Sequence, residues 1–213
     1  MKEPLRVIGV MGSPKRHGNT ETLLESFLKG AQDAGGSVET IILSRLRYTS
    51  CKGCNACHKT GDCILDDDIH EVFRTLLDAD CIVISSPIYT MGITTELKRF
   101  IDRAHYLWVR HLKRATEPLP PDKKLLHRGY FISTAGMNRD DVFDTAFPMM
   151  RAFFNIFGFS YCADILAKNM DGYGGIRGDP VTLQIAYDTG FNAITGIQAK
   201  EPCKKKINAD KMI

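Results

Sequence analysis

Four cysteines stand close together in the sequence, at Cys51, Cys54, Cys57 and Cys63, with the spacing C-x2-C-x2-C-x5-C. Thiolates two residues apart can turn toward one small centre, and three cysteines at these gaps hold corners of a cubane iron–sulfur cluster in ferredoxins. Cys63 is close enough along the chain to supply the fourth corner. The spacing therefore predicts one [4Fe–4S] cluster bound by these four cysteines.

Two other interpretations of this cysteine motif stay open. Structural zinc sites usually take their ligands from two separated pairs, which makes zinc the weaker alternative, and free thiols or a redox disulfide pair are the third. The chain has seven cysteines, an odd number. We interpret the remaining three, Cys81, Cys162 and Cys203, as core residues of apolar strands or a solvated thiol of the tail.

A polar segment at residues 12–20 joins the first predicted strand to the first predicted helix. Hydroxyls, cationic side chains and the amides of a helix N-terminus together suit a bound phosphate. The candidates are Ser13, Lys15, Arg16, Asn19 and Thr20. The segment lacks both the Gly-Lys-Ser/Thr triplet of a P-loop and the spacing of a dinucleotide site, so a single phosphate group fits better. An ordinary turn, with Asn19 or Thr20 as the helix N-cap, is the alternative.

A second candidate segment, residues 85–92, follows the third predicted strand. A flat isoalloxazine ring needs apolar contact on its faces and backbone groups at its edge, and this segment offers both. The candidate contacts are Pro87, Ile88, Tyr89, Thr90, Met91 and Gly92. A tight turn with Tyr89 as a rim residue is the alternative.

Alternating elements must position these segments. Apolar runs predict strands over 5–10, 38–43, 81–85, 129–133 and 159–165, and helical spacing predicts helices over 20–32, 68–77, 95–108, 143–157 and 180–197. Strands that alternate with helices indicate a parallel sheet covered on both faces. We predict a flavodoxin-like α/β fold with strand order 2-1-3-4-5, in which the loops after the first and third strands meet at a ligand site.

The two loops resemble those of the NADPH-dependent FMN reductase and flavodoxin-like superfamily. Its first loop commonly reads Gly-Ser-Pro-Arg followed by Asn-Thr; Ser13, Asn19 and Thr20 match, and Lys15 replaces the Arg. Its Ser-Pro-x-Tyr segment and the following Leu-Lys-x-Phe-Ile-Asp-Arg match residues 86–89 and 97–103. The resemblance implies FMN as the cofactor, with Pro87 among its contacts.

The resemblance implies a third flavin segment. Ser133, Thr134, Ala135 and Gly136 are similar to the small-residue loop that closes the flavin site in relatives. The family often has a proline a few residues after the tyrosine, whereas residues 92–95 here are Gly-Ile-Thr-Thr, which alters the outer wall of the site. The compact cysteine motif on such a fold resembles the iron–sulfur flavoproteins of anaerobes.

Composition excludes several classes of protein. The 213 residues include 28 Lys and Arg against 25 Asp and Glu, and a net charge of +3 gives no field for attracting nucleic acid. The run 5–11 is too short for a signal sequence, and the uncharged stretch 81–95 is too short to cross a bilayer. We predict a cytoplasmic protein with one domain over residues 1–200, a cysteine-rich insertion at 48–66 and a charged tail at 201–213.

The leading hypothesis is an oxidoreductase that passes electrons between FMN, the cluster and an external donor or acceptor, such as NAD(P)H, a quinone or a ferredoxin-like protein. The flavin carries the chemistry, so no catalytic side chain is predicted. A cluster-free NAD(P)H-dependent FMN or quinone reductase, a non-catalytic electron carrier and a zinc-stabilised interaction module are the alternatives. The resemblance implies a homodimer or homotetramer. We interpret His105, Trp108 and His111 as interface residues and 172–178 as a loop after the last strand.

Overall fold

The computed structural model describes residues 3–114 and 126–203. The strands are β1 (Arg6–Met11), β2 (Ser37–Ile42), β3 (Cys81–Tyr89), β4 (Gly92–Ile93), β5 (Arg128–Thr134) and β6 (Ser160–Ala167). The helices are α1 (Asn19–Asp33), α2 (Ala56–Thr60), α3 (Ile69–Leu77), α4 (Thr95–Arg103), α5 (His105–Arg114), α6 (Ala146–Phe157) and α7 (Pro180–Gln198). Short 3-10 turns lie at Leu43–Arg45 and Ile176–Gly178.

The five long strands are parallel and lie in the order β2-β1-β3-β5-β6, and the two-residue β4 pairs antiparallel with the end of β3. When β4 is left out of the count, this is the predicted 2-1-3-4-5 order. The flavodoxin-like fold class is therefore confirmed. The direction of winding reverses between β1 and β3, which is where an open α/β sheet binds its ligand.

The central strands are buried on both faces, as a parallel sheet with two helical layers requires. Successive residues of β1 point to opposite sides: Val7 packs in a core with α1 and α7, and Ile8 packs in a core with helices α3 to α6. The second core holds most of the phenylalanines, including Phe100 and Phe153. The helices that position the candidate segments are thus anchored on both faces of the sheet.

Strand β3 continues beyond the predicted end at Ser85. It pairs with β1 only as far as Ser85, opposite Met11, but with β5 as far as Pro87, opposite Thr134. Pro87 has no N–H to donate, and no β1 residue lies beside it to require one. The predicted loop residues 87–89 therefore form the end of β3, beside a notch where β1 has ended.

The helix predicted over 95–108 is divided in two at Ala104. The amide of Ala104 donates to the Ile101 carbonyl at 3.0 Å, and the amide of Leu107 donates to the Ala104 carbonyl at 3.0 Å. This three-residue spacing tightens the turn and separates α4 from α5. Most of the predicted surface excursion at 110–128 lies outside the described residues.

Two cysteines interpreted as unpaired are joined in the structure. Cys162 of β6 and Cys203, beyond the end of α7, form a disulfide across 41 residues of sequence. The interpretation of Cys203 as a solvated thiol was wrong, because α7 runs back along the sheet and returns the chain to the start of β6. The remainder of the predicted tail, 204–213, lies outside the described residues. Within the described ranges no helix has the length and apolar character needed to cross a membrane.

Candidate functional site

The loop after β1 is ordered by its own side chains. The Ser13 hydroxyl is buried, accepts a 3.2 Å hydrogen bond from the Lys15 amide and lies 3.2 Å from the Lys15 carbonyl oxygen. The N-cap of α1 is Gly18, which makes no side-chain capping bond, so the alternative interpretation of Asn19 or Thr20 as the cap was wrong. Both residues are instead the first residues of the helix, and their side chains bond to other segments.

Asn19 and Thr20 bind two segments that are distant in sequence. The Thr20 hydroxyl lies 2.6 Å from the hydroxyl of Thr134 at the end of β5, and both are buried. The Asn19 side-chain oxygen accepts a 3.1 Å hydrogen bond from the Ile176 amide. The loop 172–178 is therefore fastened to the predicted phosphate loop, although the sequence alone gave it no defined role. The side-chain nitrogen of Asn19 has no hydrogen-bond partner among the described residues and remains able to donate.

Arg16 supplies the observation that tests this loop for an anion. Its Nη2 pairs with Glu21 at 2.6 Å, but its Nε and Nη1 are buried and have no hydrogen-bond partner among the described residues. The Arg16 side chain is 36% exposed, and its two buried, unsatisfied donors fit an anionic oxygen. The loop therefore fits the phosphate of FMN, whereas Lys15 is exposed.

The ends of β3 and β5 lie against this loop. The Ser133 hydroxyl donates to the Ser86 carbonyl at 2.7 Å, and the Ser86 hydroxyl accepts from the Thr94 amide at 3.1 Å. Thr94 caps α4 by accepting from the Leu97 amide at 3.3 Å. Together with the Thr20–Thr134 contact, these bonds bring the three predicted flavin segments together at one edge of the sheet.

The turn between β3 and β4 presents a half-exposed aromatic ring. Tyr89 is 51% exposed, whereas Ile88 beside it is buried. Thr90 (φ 47°) and Met91 (φ 62°) form the two-residue turn in the left-handed region, which side chains branched at Cβ rarely adopt. Thr145 donates to the Met91 carbonyl at 2.5 Å and supports this turn. Non-glycine residues held in the left-handed region are often found at ligand sites.

The loop after β5 is closed by the segment after β6. The Ala135 amide donates to the Ala167 carbonyl at 2.9 Å, and the Met170 amide donates to the Ala135 carbonyl at 3.0 Å. A Cβ on Gly136 would lie 2.5 Å from the Asp171 carboxylate. A side chain at position 136 would therefore have to displace the exposed Asp171 carboxylate, so the small residue lets the two loops approach closely.

All four predicted metal ligands line one cavity. Cys51, Cys54, Cys57 and Cys63 surround a cavity of about 680 Å³, and all four are free thiols. Its other walls are the end of α4, the start of α5 and, from α6, Ala152 and Ile156. Four soft sulfur donors around a cavity of this size fit a cubane cluster. Burial raises the pKa of the Cys57 thiol. Because a metal binds the thiolate, ligation at Cys57 must displace a proton that burial makes harder to remove.

The cysteine loop is closed at its base. The Arg47 amide donates to the Asp68 carboxylate at 2.6 Å, and the Asp68 amide donates to the Arg47 carbonyl at 3.3 Å. Above them the Tyr48 hydroxyl donates to the Glu96 carbonyl at 2.9 Å, and the Arg99 guanidinium lies 4.2 Å from the Tyr48 ring centroid. The loop is consequently attached to α4 as well as to itself.

Arg103 and Asp67 lie at the site, although the sequence predicted no site role for Arg103 and only an acidic helix N-terminus for residues 66–68. Arg103 is fully buried, its Nη1 lies 2.5 Å from the Asp67 carboxylate, and its Nη2 lies 3.5 Å from the Cys63 sulfur. Burial alone would raise the pKa of Asp67, but the hydrogen bond and charge of Arg103 hold that pKa below its usual range. The signal was present, since Arg103 ends the matched Leu-Lys-x-Phe-Ile-Asp-Arg segment.

A second set of metal donors adjoins the cavity. Ligand atoms of Cys57, His58 and His105 all lie within 4.8 Å of one another, and the rings of His105 and Trp108 are 5.4 Å apart. Two imidazoles and a thiolate are donors that zinc accepts. His105 was interpreted as an interface residue, and only the packing of α2 on α5 brings it to Cys57.

Helix α4 joins the two parts of the site. It begins at Thr94, whose hydroxyl donates to the Gly12 carbonyl at 2.6 Å, and ends at Arg103 beside Cys63. At 1.5 Å per residue the two ends are about 14 Å apart. One helix therefore fixes the distance between the predicted flavin loops and the cysteine cavity.

The model of the NADPH-dependent FMN reductase family matches residues 5–140. The chain belongs to that family. The matched range includes β1, β3, β5, their loops and the cysteine motif, and the predicted family is confirmed.

Curated relatives of this chain are named iron–sulfur flavoproteins. One from Archaeoglobus fulgidus is 33% identical over 99 residues, which cover 46% of this chain and 45% of the relative. One from Methanocaldococcus jannaschii is 36% identical over 103 residues, which cover 48% of this chain and 53% of the relative. The matched segments thus span about half the length of these relatives.

Solved structures agree on the fold. The NAD(P)H:quinone oxidoreductase from Methanothermobacter marburgensis aligns with a TM-score of 0.63 over 89% of this chain and 97% of its own, at 18% identity. An azoreductase from Bacillus anthracis aligns with a TM-score of 0.65 over 88% of this chain and 99% of its own, at 15% identity. At identities this low, the similarity shows only that the chain shares their fold.

Proposed function

We propose that the chain is an FMN-dependent oxidoreductase whose cysteine loop carries one [4Fe–4S] cluster. In this proposal the loops after β1, β3 and β5 bind FMN, and Cys51, Cys54, Cys57 and Cys63 bind the cluster. When bound, FMN exchanges electrons singly or as a hydride and the cluster passes single electrons. The observation that carries the proposal is one cavity lined by four free cysteines and joined by α4 to the flavin loops.

The chain's own residues would bind, orient and enclose the two groups. Arg16 and the amide of Asn19 offer donors to the phosphate, and the Pro87–Tyr89 segment offers apolar contact beside the notch left by β1. Because Tyr89 is half exposed, the edge of a flavin ring bound beside it would be open to a small donor or acceptor such as NAD(P)H or a quinone. Four free thiols suit a reducing compartment such as the cytoplasm, whereas the Cys162–Cys203 bond is of a kind more common in oxidising compartments. The proposal takes residues 1–200 as one FMN-binding domain with an insertion at 48–66, assembled as a homodimer or homotetramer.

Anaerobic purification followed by an absorption spectrum tests the proposal. Flavin bands together with a broad thiolate-to-iron shoulder are expected, with FMN as the species released by heat and about four iron and four sulfide per chain. Flavin bands without iron would leave the cluster-free reductase. Iron without flavin would contradict the role of the three loops.

Zinc is the second candidate for the cysteine loop, because Cys57, His58 and His105 also converge. The double variant His58→Ala/His105→Ala separates the two. The iron–sulfur proposal expects its iron and sulfide to equal those of the wild type. A wild type that is purified with zinc and loses it in this variant would favour the zinc-stabilised module instead.

A further inference from the structure

Arg103 is a buried cation that contacts three parts of the cysteine loop. Its side chain is 1% exposed. Nη1 donates to the Thr49 carbonyl at 3.0 Å and to the Asp67 carboxylate at 2.5 Å. Nη2 donates to the other Asp67 oxygen at 3.1 Å and to the Cys63 sulfur at 3.5 Å. Thr49 and Asp67 flank the loop at its two ends, so one guanidinium holds both ends and one of its thiols.

One donor of the Arg103 guanidinium takes no part in these contacts. Asp67 takes one N–H from each terminal nitrogen, which is the two-point geometry of a strong Arg–carboxylate pair. The Nε is buried and has no partner among the described residues. Arg103 and Cys63 line the cavity and Asp67 does not, so the ion pair presents its positive member to the Cys63 sulfur.

Hydrogen bonds to cluster sulfurs and nearby charge are among the factors that set the reduction potential of an iron–sulfur centre. An N–H directed at a ligand sulfur stabilises the more negative, reduced state more than the oxidised state. The effect is largest where water is excluded, as it is at Arg103. A contact from a buried cation to Cys63 should therefore make the cluster easier to reduce.

We propose that Arg103 is a positioning residue that fixes the Cys63 sulfur and raises the reduction potential of the [4Fe–4S] cluster. The inference rests on the proposed cluster and deepens it, because it assigns regulation of electron flow to a residue of α4. Asp67 holds the guanidinium in the required orientation. Since α4 starts at the flavin loops, the same helix sets both the distance to the cluster and the ease of its reduction.

The test is an anaerobic redox titration of the full chain, with the reduced cluster followed by electron paramagnetic resonance. Arg103→Met removes the charge and the two terminal nitrogens that donate to the loop. Arg103→Lys keeps the charge but lacks the planar fork that reaches Thr49, Asp67 and Cys63 together. The matched control is Arg110→Met. Arg110 donates to the Gly61 carbonyl at 3.0 Å and pairs with Asp62 at 3.0 Å, and no hydrogen bond joins it to a cysteine sulfur among the described residues. Its substitution therefore removes a charge from the same loop without removing a contact to sulfur.

At a fixed potential the ratio of reduced to oxidised cluster should fall about tenfold in Arg103→Met, which corresponds to about 59 mV for one electron. A smaller fall is expected in Arg103→Lys, and Arg110→Met should stay within about twofold of the wild type. Equal potentials in the wild type and both Arg103 variants, each with full iron and flavin, would overturn the inference and leave the cluster standing. Absence of iron from the wild type would overturn the proposed function itself. If Arg103→Met does not fold, the potential of Arg103→Lys decides, and a value equal to that of the wild type counts against Arg103.

Discussion

The hydroxyl of Thr94 donates a 2.6 Å hydrogen bond to the carbonyl oxygen of Gly12. Gly12 also donates its amide to the Ser85 carbonyl at 2.8 Å. Because Thr94 caps α4 and Ser85 lies in the middle of β3, these two bonds fix the loop after β1 against both of its neighbours. The position of this loop therefore depends on how closely Gly12 can approach them.

Gly12→Ala should displace the loop. An added Cβ would lie 2.7 Å from the Ser85 carbonyl oxygen and 3.0 Å from the Leu97 Cβ, so the backbone must shift. We expect a loss of about 2 kcal/mol in unfolding free energy, measured by urea denaturation, and weaker FMN binding. Gly18→Ala is the control, because the nearest atom to its added Cβ is 3.6 Å away. Equal stability of the two variants would contradict this account of the loop.

The double variant Asn19→Ala/Thr20→Ala should bind FMN about tenfold more weakly, as expected when hydrogen bonds to a charged group are lost. Flavin fluorescence on titration of the apoprotein measures the affinity. Ser26→Ala is the matched control on the same helix, since its hydroxyl donates to the Leu183 carbonyl at 2.8 Å, facing α7. The prediction fails if the double variant binds FMN as tightly as the control.

Single serine substitutions of Cys51, Cys54, Cys57 and Cys63 should each remove most of the iron and leave the FMN content unchanged. Each substitution opens one corner of the cluster, whereas the flavin loops lie at the other end of α4. Iron and sulfide analysis of anaerobic protein provides the measurement. Cys203→Ser is the control, because Cys203 lies outside the cavity. Retention of full iron in any one of the four variants would remove that cysteine from the ligand set.

The Arg103–Asp67 pair predicts a pH-dependent contribution to stability. The pKa of Asp67 is lowered in the folded state, so its contribution is fully present above the unfolded value of about 3.9 and is lost as pH falls through the folded value. Asp67→Asn should cost about 3 kcal/mol at pH 7, because it leaves a buried cation without its partner.

The free energy of unfolding, followed in urea from pH 7 to pH 3, checks this prediction. The difference between wild type and Asp67→Asn should shrink below about pH 4. Asp102→Asn serves as the control: its pair with Lys98 is half exposed and should be worth less than about 1 kcal/mol at any pH. A difference for Asp67→Asn that is independent of pH would mean that the carboxylate charge is not what stabilises the loop.

The sequence predicted the strands and the positions of the loops that follow them well, because the evidence for them is local. Continuous apolar runs mark β1 and β3, and the loop residues directly follow them. The break at Ala104 was missed, since the helical spacing of apolar residues continues through it. The partners of Asn19 and Cys203 were also missed, because Ile176 lies 157 residues away from Asn19 and Cys162 lies 41 residues away from Cys203. Contacts of that separation depend on how α7 and the sheet pack, which periodicity does not encode.

The bond between Cys162 and Cys203 holds the end of the described chain beside the start of β6. Arg128, the first residue of β5, donates to the Glu201 carbonyl at 2.7 Å, so the chain at Cys203 lies at the amino ends of the strands. The flavin loops lie at the carboxyl ends. An electrode or resin coupled through a tag beyond Cys203 would therefore hold the protein with its flavin loops facing the solution.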